Sequence, residues 1–245
     1  LFLVALDDKR EWYRYHQLFA DVLRARLHGE RPDLVPVLHH RASLWFDEHD
    51  LPDPAIKHAL TAGEVDRAAE LIEMAMPAVR RHRQETMAQS WLTALPEHVI
   101  ARSPALCVLS AGLLLVAGDL DAVQARLDDA ERALAAQPPD AAQQNTRLEE
   151  RRTVPSMSAV YRASLAQSRG DVAETARQAQ RALDLAGPDD HFVRGAAAGF
   201  LGLAAWAHGE VSQALVTFGQ AVASLHAAGN VVDELSGIVV LADLW

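Results

Sequence analysis

Leu201-Gly202-Leu203-Ala204-Ala205, with the following Gly209-Glu210-Val211 and Ala214, Phe218 and Ala221, decides the fold class of this chain. Small residues recur where two antiparallel helices must touch, and large residues fill the gaps between them. The Gly-acid pair marks the turn that joins the helices. A helix–turn–helix unit of this kind cannot bury its apolar face alone, so it predicts a stack of similar units.

The same turn recurs elsewhere in the chain. A glycine, an acidic residue and an aliphatic residue follow one another at Gly63-Glu64-Val65, Gly118-Asp119-Leu120, Gly170-Asp171-Val172 and Gly209-Glu210-Val211. The glycine can take the left-handed conformation that ends one helix. The carboxylate then lies at the N-terminus of the next helix, where the helix dipole favours it. Only the last two turns are about one repeat length apart, so an irregular array is predicted.

The predicted fold class is all-α: an irregular, tetratricopeptide-like superhelix of helical hairpins. At the N-terminus, two short strands around a turn and a helix from about Gln17 predict a β-hairpin plus helix. We predict three regions, which are residues 1–30, a helical linker or repeat region at 31–136, and tetratricopeptide-like repeats at 148–245. Residues 137–147 lack an apolar period and predict the longest loop. Pro77, Pro96 and Pro104 are expected to separate short helices.

Composition excludes several functions for this chain taken alone. Its 245 residues are 50% hydrophobic and carry a formal charge of −10, which disfavours binding to nucleic acid or an anionic membrane. The longest apolar run, 106–117, is shorter than the roughly 20 residues that span a bilayer, and no signal peptide is visible. We therefore expect a cytoplasmic protein without membrane contact. The single cysteine, Cys107, is expected to be a buried structural thiol. The absence of an initiator methionine and the uncapped apolar C-terminus predict a piece of a longer polypeptide.

Motifs for catalysis are missing from the sequence. No glycine precedes a lysine, and no Gly-x-Ser-x-Gly, His-Glu-x-x-His or Cys-x-x-Cys occurs. We expect no catalytic residue, no metal site and no enzyme activity. His39, His40 and His49 are read as solvated or hydrogen-bonded histidines rather than metal ligands. The basic cluster Arg80-Arg81-His82-Arg83 could dock an acidic partner or lie in a solvated loop.

Four aromatic residues are candidates for a ligand groove. These are Trp91, Tyr161, Phe200 and Trp206. Aromatic residues at helical spacing also form ordinary cores, so the sequence leaves both interpretations open.

A family resemblance is carried by the N-terminal motif Leu1-Phe2-Leu3-Val4-x-Leu6-Asp7-Asp8-x-Arg10-x-Trp12-Tyr13-Arg14-Tyr15-His16. It extends through Ala42-x-x-Trp45-Phe46, His58-Ala59-Leu60-x-Ala62-Gly63 and Trp91-Leu92-x-Ala94-Leu95-Pro96. With these motifs the chain resembles the large ATP-dependent, MalT-like transcription regulators of the LuxR class, which belong to the STAND group of signal-transduction ATPases. The resemblance is dense over about the first half of the chain.

The resemblance implies a domain order and partners. Residues 1–30 would be the C-terminal part of a winged-helix domain, and the rest would be the helical sensor. The parent protein would bind ATP or ADP, whereas this segment would hold no cofactor itself. Its partners would be an unknown effector (a small molecule or a protein), the other domains of the same polypeptide, and further copies in an ATP-bound state. Direct DNA contact is not expected.

One residue acquires a possible role from this resemblance. In STAND proteins a winged-helix histidine often contacts the phosphate of bound ADP, and His16 stands at that place in the motif. An imidazole beside a diphosphate is chemically sensible. The alternative is that His16 caps the helix that follows it.

Two functions remain in competition. The first is an effector-sensing and autoregulatory region that biases its parent between a closed ADP form and an oligomerising ATP form. The second is a tetratricopeptide-like protein–protein interaction scaffold that has no small-molecule ligand.

Overall fold

The computed structural model describes residues 3–5, 7–9, 13–137 and 144–244, and the side chains of residues 144–151 are not described. These residues form thirteen helices and one two-stranded sheet. The all-α fold class with an N-terminal hairpin is therefore confirmed. The chain divides into two compact units, residues 1–71 and 72–245. The predicted boundaries near residues 30 and 148 follow motifs rather than compactness, and they stay predictions.

The first unit begins with the predicted hairpin. Strands β1 (Leu3–Ala5) and β2 (Tyr13–Tyr15) pair in antiparallel register, with Val4 opposite Arg14. Helix α1 (Gln17–Glu30) follows directly and contains no buried residue. Its apolar residues Leu18 and Val22 are 71% and 63% exposed. Trp12 of the predicted second strand lies outside the described residues.

Helices α2 (Leu34–Glu48) and α3 (Pro52–Thr61) pack against each other and are followed by α4 (Val65–His82). Pro52 opens α3, where its missing N–H group has no helical partner to lose. The core of this unit contains small and aliphatic side chains. The fully buried ones include Ala55, Ile56, Ala59 and Ala68.

The second unit is a run of helices. After the end of α4, these are α5 (Glu85–Ala94), α6 (Glu97–Arg102), α7 (Pro104–Ala117), α8 (Leu120–Ala136), α9 (Gln144–Ser168), α10 (Val172–Leu185), α11 (His191–Ala207), α12 (Val211–Ala227) and α13 (Val231–Leu244). From α6 onward each helix packs against the next. The strongest contacts join α7 with α8, α9 with α10, and α11 with α12, which gives three successive helical hairpins.

The turns have the conformation that the sequence predicts. Gly63, Gly118, Gly170 and Gly209 all have φ between 75° and 80°, in the left-handed region. The Asp171 carboxylate accepts a hydrogen bond from the Glu174 backbone N–H at 2.9 Å, and Asp119 caps α8 in the same way. Such caps satisfy N–H groups that have no partner within the helix.

A fifth turn of this kind was not predicted from the sequence. Gly229 has φ of 67°, and the side-chain oxygen of Asn230 accepts a hydrogen bond from the Asp233 N–H at 3.3 Å. Asparagine here stands in the place of the acidic residue. The signal was visible as Gly229-Asn230-Val231, because asparagine caps helices as well as aspartate does.

Two local predictions are wrong. Pro77 does not separate helices, because it lies inside the continuous helix α4. A proline inside a helix costs about 3 kcal/mol. Burial of Ile72, Met76 and Val79 along one face of α4 offsets this cost. The loop predicted at 137–147 is also too long, since α9 begins at Gln144; residues 138–143 lie outside the described part.

Close contact between helices in the second unit depends on small residues, as the sequence around Gly202 predicts. A Cβ atom built on Gly202 of α11 would lie 2.9 Å from the ring of Phe218 on α12. The aromatic ring therefore occupies the space that the missing side chain leaves. Within the described residues, no helix combines the length and the apolarity needed to cross a membrane.

Candidate ligand-binding site

A cavity of about 430 Å³ lies within the second unit. Its walls come from α7, α9, α11 and α12, and the end of α4 and α13 complete them. This volume falls in the range of small-molecule sites in proteins. Apolar residues make up most of the wall. They include Val79, Leu109, Leu113, Val116, Val160, Phe192, Phe200, Leu203, Phe218, Leu225 and Val240.

Glycines on two helices create this space. A Cβ atom on Gly112 of α7 would lie 2.7 Å from the hydroxyl oxygen of Tyr161, so the missing side chain lets the tyrosine reach the wall. Gly195 of α11 admits Leu225 in the same manner. Gly199 differs, since no atom lies within 4 Å of its hypothetical Cβ, so this face of α11 borders open space.

Tyr161 and Arg80 form one polar part of the wall. Arg80 and Tyr161 both line the cavity, and the Arg80 Cζ lies 5.8 Å from the centroid of the Phe192 ring. That geometry is a cation–π contact. Burial raises the pKa of the Tyr161 phenol above its usual value, although the nearby Arg80 charge opposes this. The phenol is therefore neutral at physiological pH and keeps its proton.

A second cation at the cavity, Arg83, is already paired. Its Nε lies 2.9 Å from a carboxylate oxygen of Glu85, and its Nη1 lies 3.7 Å from Asp233 on α13. Arg83 has φ of 53°, which is uncommon for a residue other than glycine. Two acidic neighbours therefore offset the charge of Arg83. Arg80, in contrast, forms no ion pair with a carboxylate among the described residues.

The four aromatic candidates fall into different places. Tyr161 and Phe200 line the cavity together. Trp91 is only 1% exposed within the core around α5, and Trp206 is 44% exposed on α11; neither contributes to the cavity wall described here. The role of the cavity in ligand binding stays a prediction.

Sequence reasoning missed Phe192 and the separate position of Arg80. Phe192 lies eight residues before Phe200, which is about two helical turns, so both rings are on one face of α11. Gly195, Ala196 and Gly199 lie between them on that face and line the cavity too. Large aromatic residues that flank a stripe of small ones were the available signal.

His16 occupies the N-cap position of α1, where its side chain makes no capping hydrogen bond. The residue is exposed. The capping alternative is therefore not observed for the side chain, and a role toward nucleotide stays a prediction.

His39 and His40 of α2, and His49 directly after it, have separate partners. The Nδ1 atoms of His39 and His58 are 2.7 Å apart, and Nδ1 of His40 lies 2.7 Å from a carboxylate oxygen of Glu64. His49 donates from Nδ1 to the Trp45 carbonyl at 2.7 Å. Each is hydrogen-bonded, as one of the two sequence interpretations expects.

Cys107 lies on the buried face of α7, and its Sγ lies 3.2 Å from the Ile100 carbonyl oxygen. Burial raises its pKa to about 11, against the smaller lowering effect of Arg126. A thiol with this pKa is protonated at neutral pH, so Cys107 is not a nucleophile there.

Comparison with known families bears on the N-terminal part first. Residues 1–35 match the family model of the MalT winged helix domain. The hairpin and α1 both lie within this match, and their arrangement is consistent with it.

Similarity to individual proteins extends over a longer part of the chain. It is 33% identical over 134 residues to the HTH-type transcriptional regulator MalT of Yersinia pestis (strain Pestoides F) and of Yersinia pseudotuberculosis serotype O:1b (strain IP 31758). The protein of the same name from Yersinia enterocolitica is 32% identical over the same length. The alignments cover 55% of this chain but 15% of each relative. The chain is thus similar to MalT regulators and aligns with only a small part of their length.

Proposed function

We propose that this chain is the effector-sensing and autoregulatory helical-repeat region of a LuxR-family, ATP-dependent transcriptional regulator. The single observation that carries the proposal is the cavity inside the second unit. Its wall is mainly apolar, with a few charged and hydroxyl groups that can orient a ligand. That combination is typical of small-molecule sites.

The position of the cavity supports a regulatory role. Its wall includes residues from the end of α4 and from α13, so both ends of the helical run contact the same space. A ligand that binds one arrangement of these helices more tightly shifts the population toward it. In the full-length parent this shift would favour either the ADP-bound resting form or the ATP-bound form that self-associates.

A thermal-shift experiment on the chain tests the proposal. Sugars, nucleotides and fatty acids are added one class at a time, and a true effector raises Tm in proportion to the logarithm of its concentration above Kd. The variant Gly199→Leu places a side chain in the open part of the cavity and should lose the response. The control Gly219→Leu lies on an exposed part of α12 with open space around it and should keep the response.

The competing scaffold function has one observation in its favour. Helix α13 contains no buried residue, and Val231, Leu235 and Val239 are each more than half exposed. A partner helix could cover such an apolar face. If no compound raises Tm and a charge placed at Val239 abolishes binding of a purified partner domain of the parent, the scaffold replaces the sensor.

A further inference from the structure

We propose that the cavity accepts a small monoanion with an apolar body and one carboxylate, and that Arg80 binds the carboxylate. This inference rests on the proposed function, because it names the chemical class of the effector.

The wall favours an apolar ligand body. Aliphatic and aromatic side chains and glycines form most of it, and Tyr161, Ser164 and Ser236 are its uncharged hydroxyl groups. The Ser236 hydroxyl already donates to the Val232 carbonyl oxygen at 3.0 Å. A sugar would bury many hydroxyl groups against this wall, and each buried group without a partner costs free energy. Hydrocarbon or aromatic groups meet no such penalty.

Arg80 supplies the positive charge for an anionic head group. Among the described residues it forms no ion pair with a carboxylate, while its guanidinium lines the cavity and lies over Phe192. A guanidinium has five N–H donors, so several are available for a ligand. Arg83 differs because Glu85 and Asp233 already neutralise it.

Tyr161 completes the head-group site. Tyr161 lines the same wall as Arg80, and its protonated phenol can donate to a carboxylate oxygen of the ligand. A carboxylate held by a guanidinium and a phenol has two charge-assisted hydrogen bonds, which are stronger than neutral ones.

The acidic groups at the cavity limit the charge of the ligand. Glu85 and Asp233 line the same space, and Asp233 is close enough to influence the pKa of Tyr161. A second negative charge on the ligand would meet these carboxylates. Monoanions are therefore preferred over nucleotides, which carry several charges.

Calorimetry with matched acid and alcohol pairs tests the inference. The probes are octanoate with octanol, and phenylbutyrate with phenylbutanol, at neutral pH and below micelle-forming concentrations. Each acid should bind at least about tenfold more tightly than its alcohol, as expected for a hydrogen-bonded charge. The variant Arg80→Gln should remove this preference, so that each acid binds no more tightly than its alcohol. The neighbouring Arg81→Gln, at an exposed residue outside the wall, should keep it. Tyr161→Phe should reduce it in part.

Several results would overturn the inference. These are equal binding of acid and alcohol by the unaltered chain, an acid preference that survives Arg80→Gln, or no binding of any probe. The proposed function is tested independently of this inference. If a sugar or nucleotide raises Tm and Gly199→Leu abolishes that response, the sensor function is supported and only the proposed ligand class is wrong. Circular dichroism of each variant verifies its helical content before binding is compared.

Discussion

The hydroxyl oxygen of Tyr161 on α9 occupies space that only a glycine at position 112 of α7 leaves free. A Cβ atom at that position would lie 2.7 Å from this oxygen. The two residues thus fix both the distance between their helices and the position of the phenol at the cavity wall.

Gly112→Ala should lower the free energy of unfolding by up to about 2 kcal/mol. The methyl group forces the Tyr161 ring to move, which costs about 1–3 kcal/mol for an overpacked core, and alanine regains roughly 1 kcal/mol over glycine in a helix. Urea unfolding followed by circular dichroism measures the difference. The matched control Gly219→Ala, on α12 with open space around it, should be neutral or slightly stabilising. Equal changes in the two variants would contradict the role assigned to Gly112.

Removal of a helix cap gives a second prediction. Asp171→Ala should destabilise the chain by about 1 kcal/mol, because the Glu174 N–H loses its acceptor. Thermal unfolding measures the loss. Glu210 provides the comparison, since it occupies the same N-cap position before α12 but its side chain makes no capping bond. Glu210→Ala should therefore cost less, and a cost as large as that of Asp171→Ala would argue against the cap as the cause.

The first unit should lose stability in mild acid because of His58. Burial, and then the nearby His39, lower the pKa of His58 below its usual value of 6.5. The contribution of His58 to the free energy of unfolding is therefore complete above 6.5, the pKa of the unfolded chain. As pH falls, the unfolded chain takes up this proton first, so stability is lost as pH falls through the lowered folded pKa.

Denaturant unfolding from about pH 8 to about pH 5 measures this loss. His58→Gln should reduce the slope over that window, whereas His98→Gln, at an exposed position on α6, should leave the slope as it is. An unchanged slope in His58→Gln would refute the assignment.

Cys107 should resist thiol reagents while the chain is folded. Its pKa of about 11 keeps the thiolate fraction small, and its complete burial blocks access. Ellman's reagent should therefore report almost no reaction at neutral pH until urea unfolds the chain. Rapid labelling of the native chain would show that α7 opens locally or that the thiol is accessible.

Local sequence signals predicted the turns well because a turn needs only local chemistry. A glycine with positive φ and an acidic N-cap residue are recognisable without knowledge of the rest of the fold, as Gly170 and Asp171 illustrate. Pro77 shows the limit of such signals. Its local preference against a helix interior was overridden by burial of the apolar face of α4.

The cavity could not be derived from local pattern. Trp91 and Tyr161 have the same kind of helical surroundings in sequence, yet one is in a closed core and the other borders open space. The difference comes from residues on other helices, such as Gly112 opposite Tyr161. Arg80 and Arg81 are likewise equivalent in sequence, and only the packed structure places Arg80 over Phe192.

The ion pair of Arg83 with Asp233 joins the end of α4 to α13, two helices at opposite ends of the second unit. In a stack of repeats, small rotations between neighbours add up along the array, so its ends move the most. The cavity has wall residues from both of these helices. In the proposed sensor, a molecule of fixed size in the cavity would therefore set the distance between the two helices. Through the stack it would also set the rotation between neighbouring repeats.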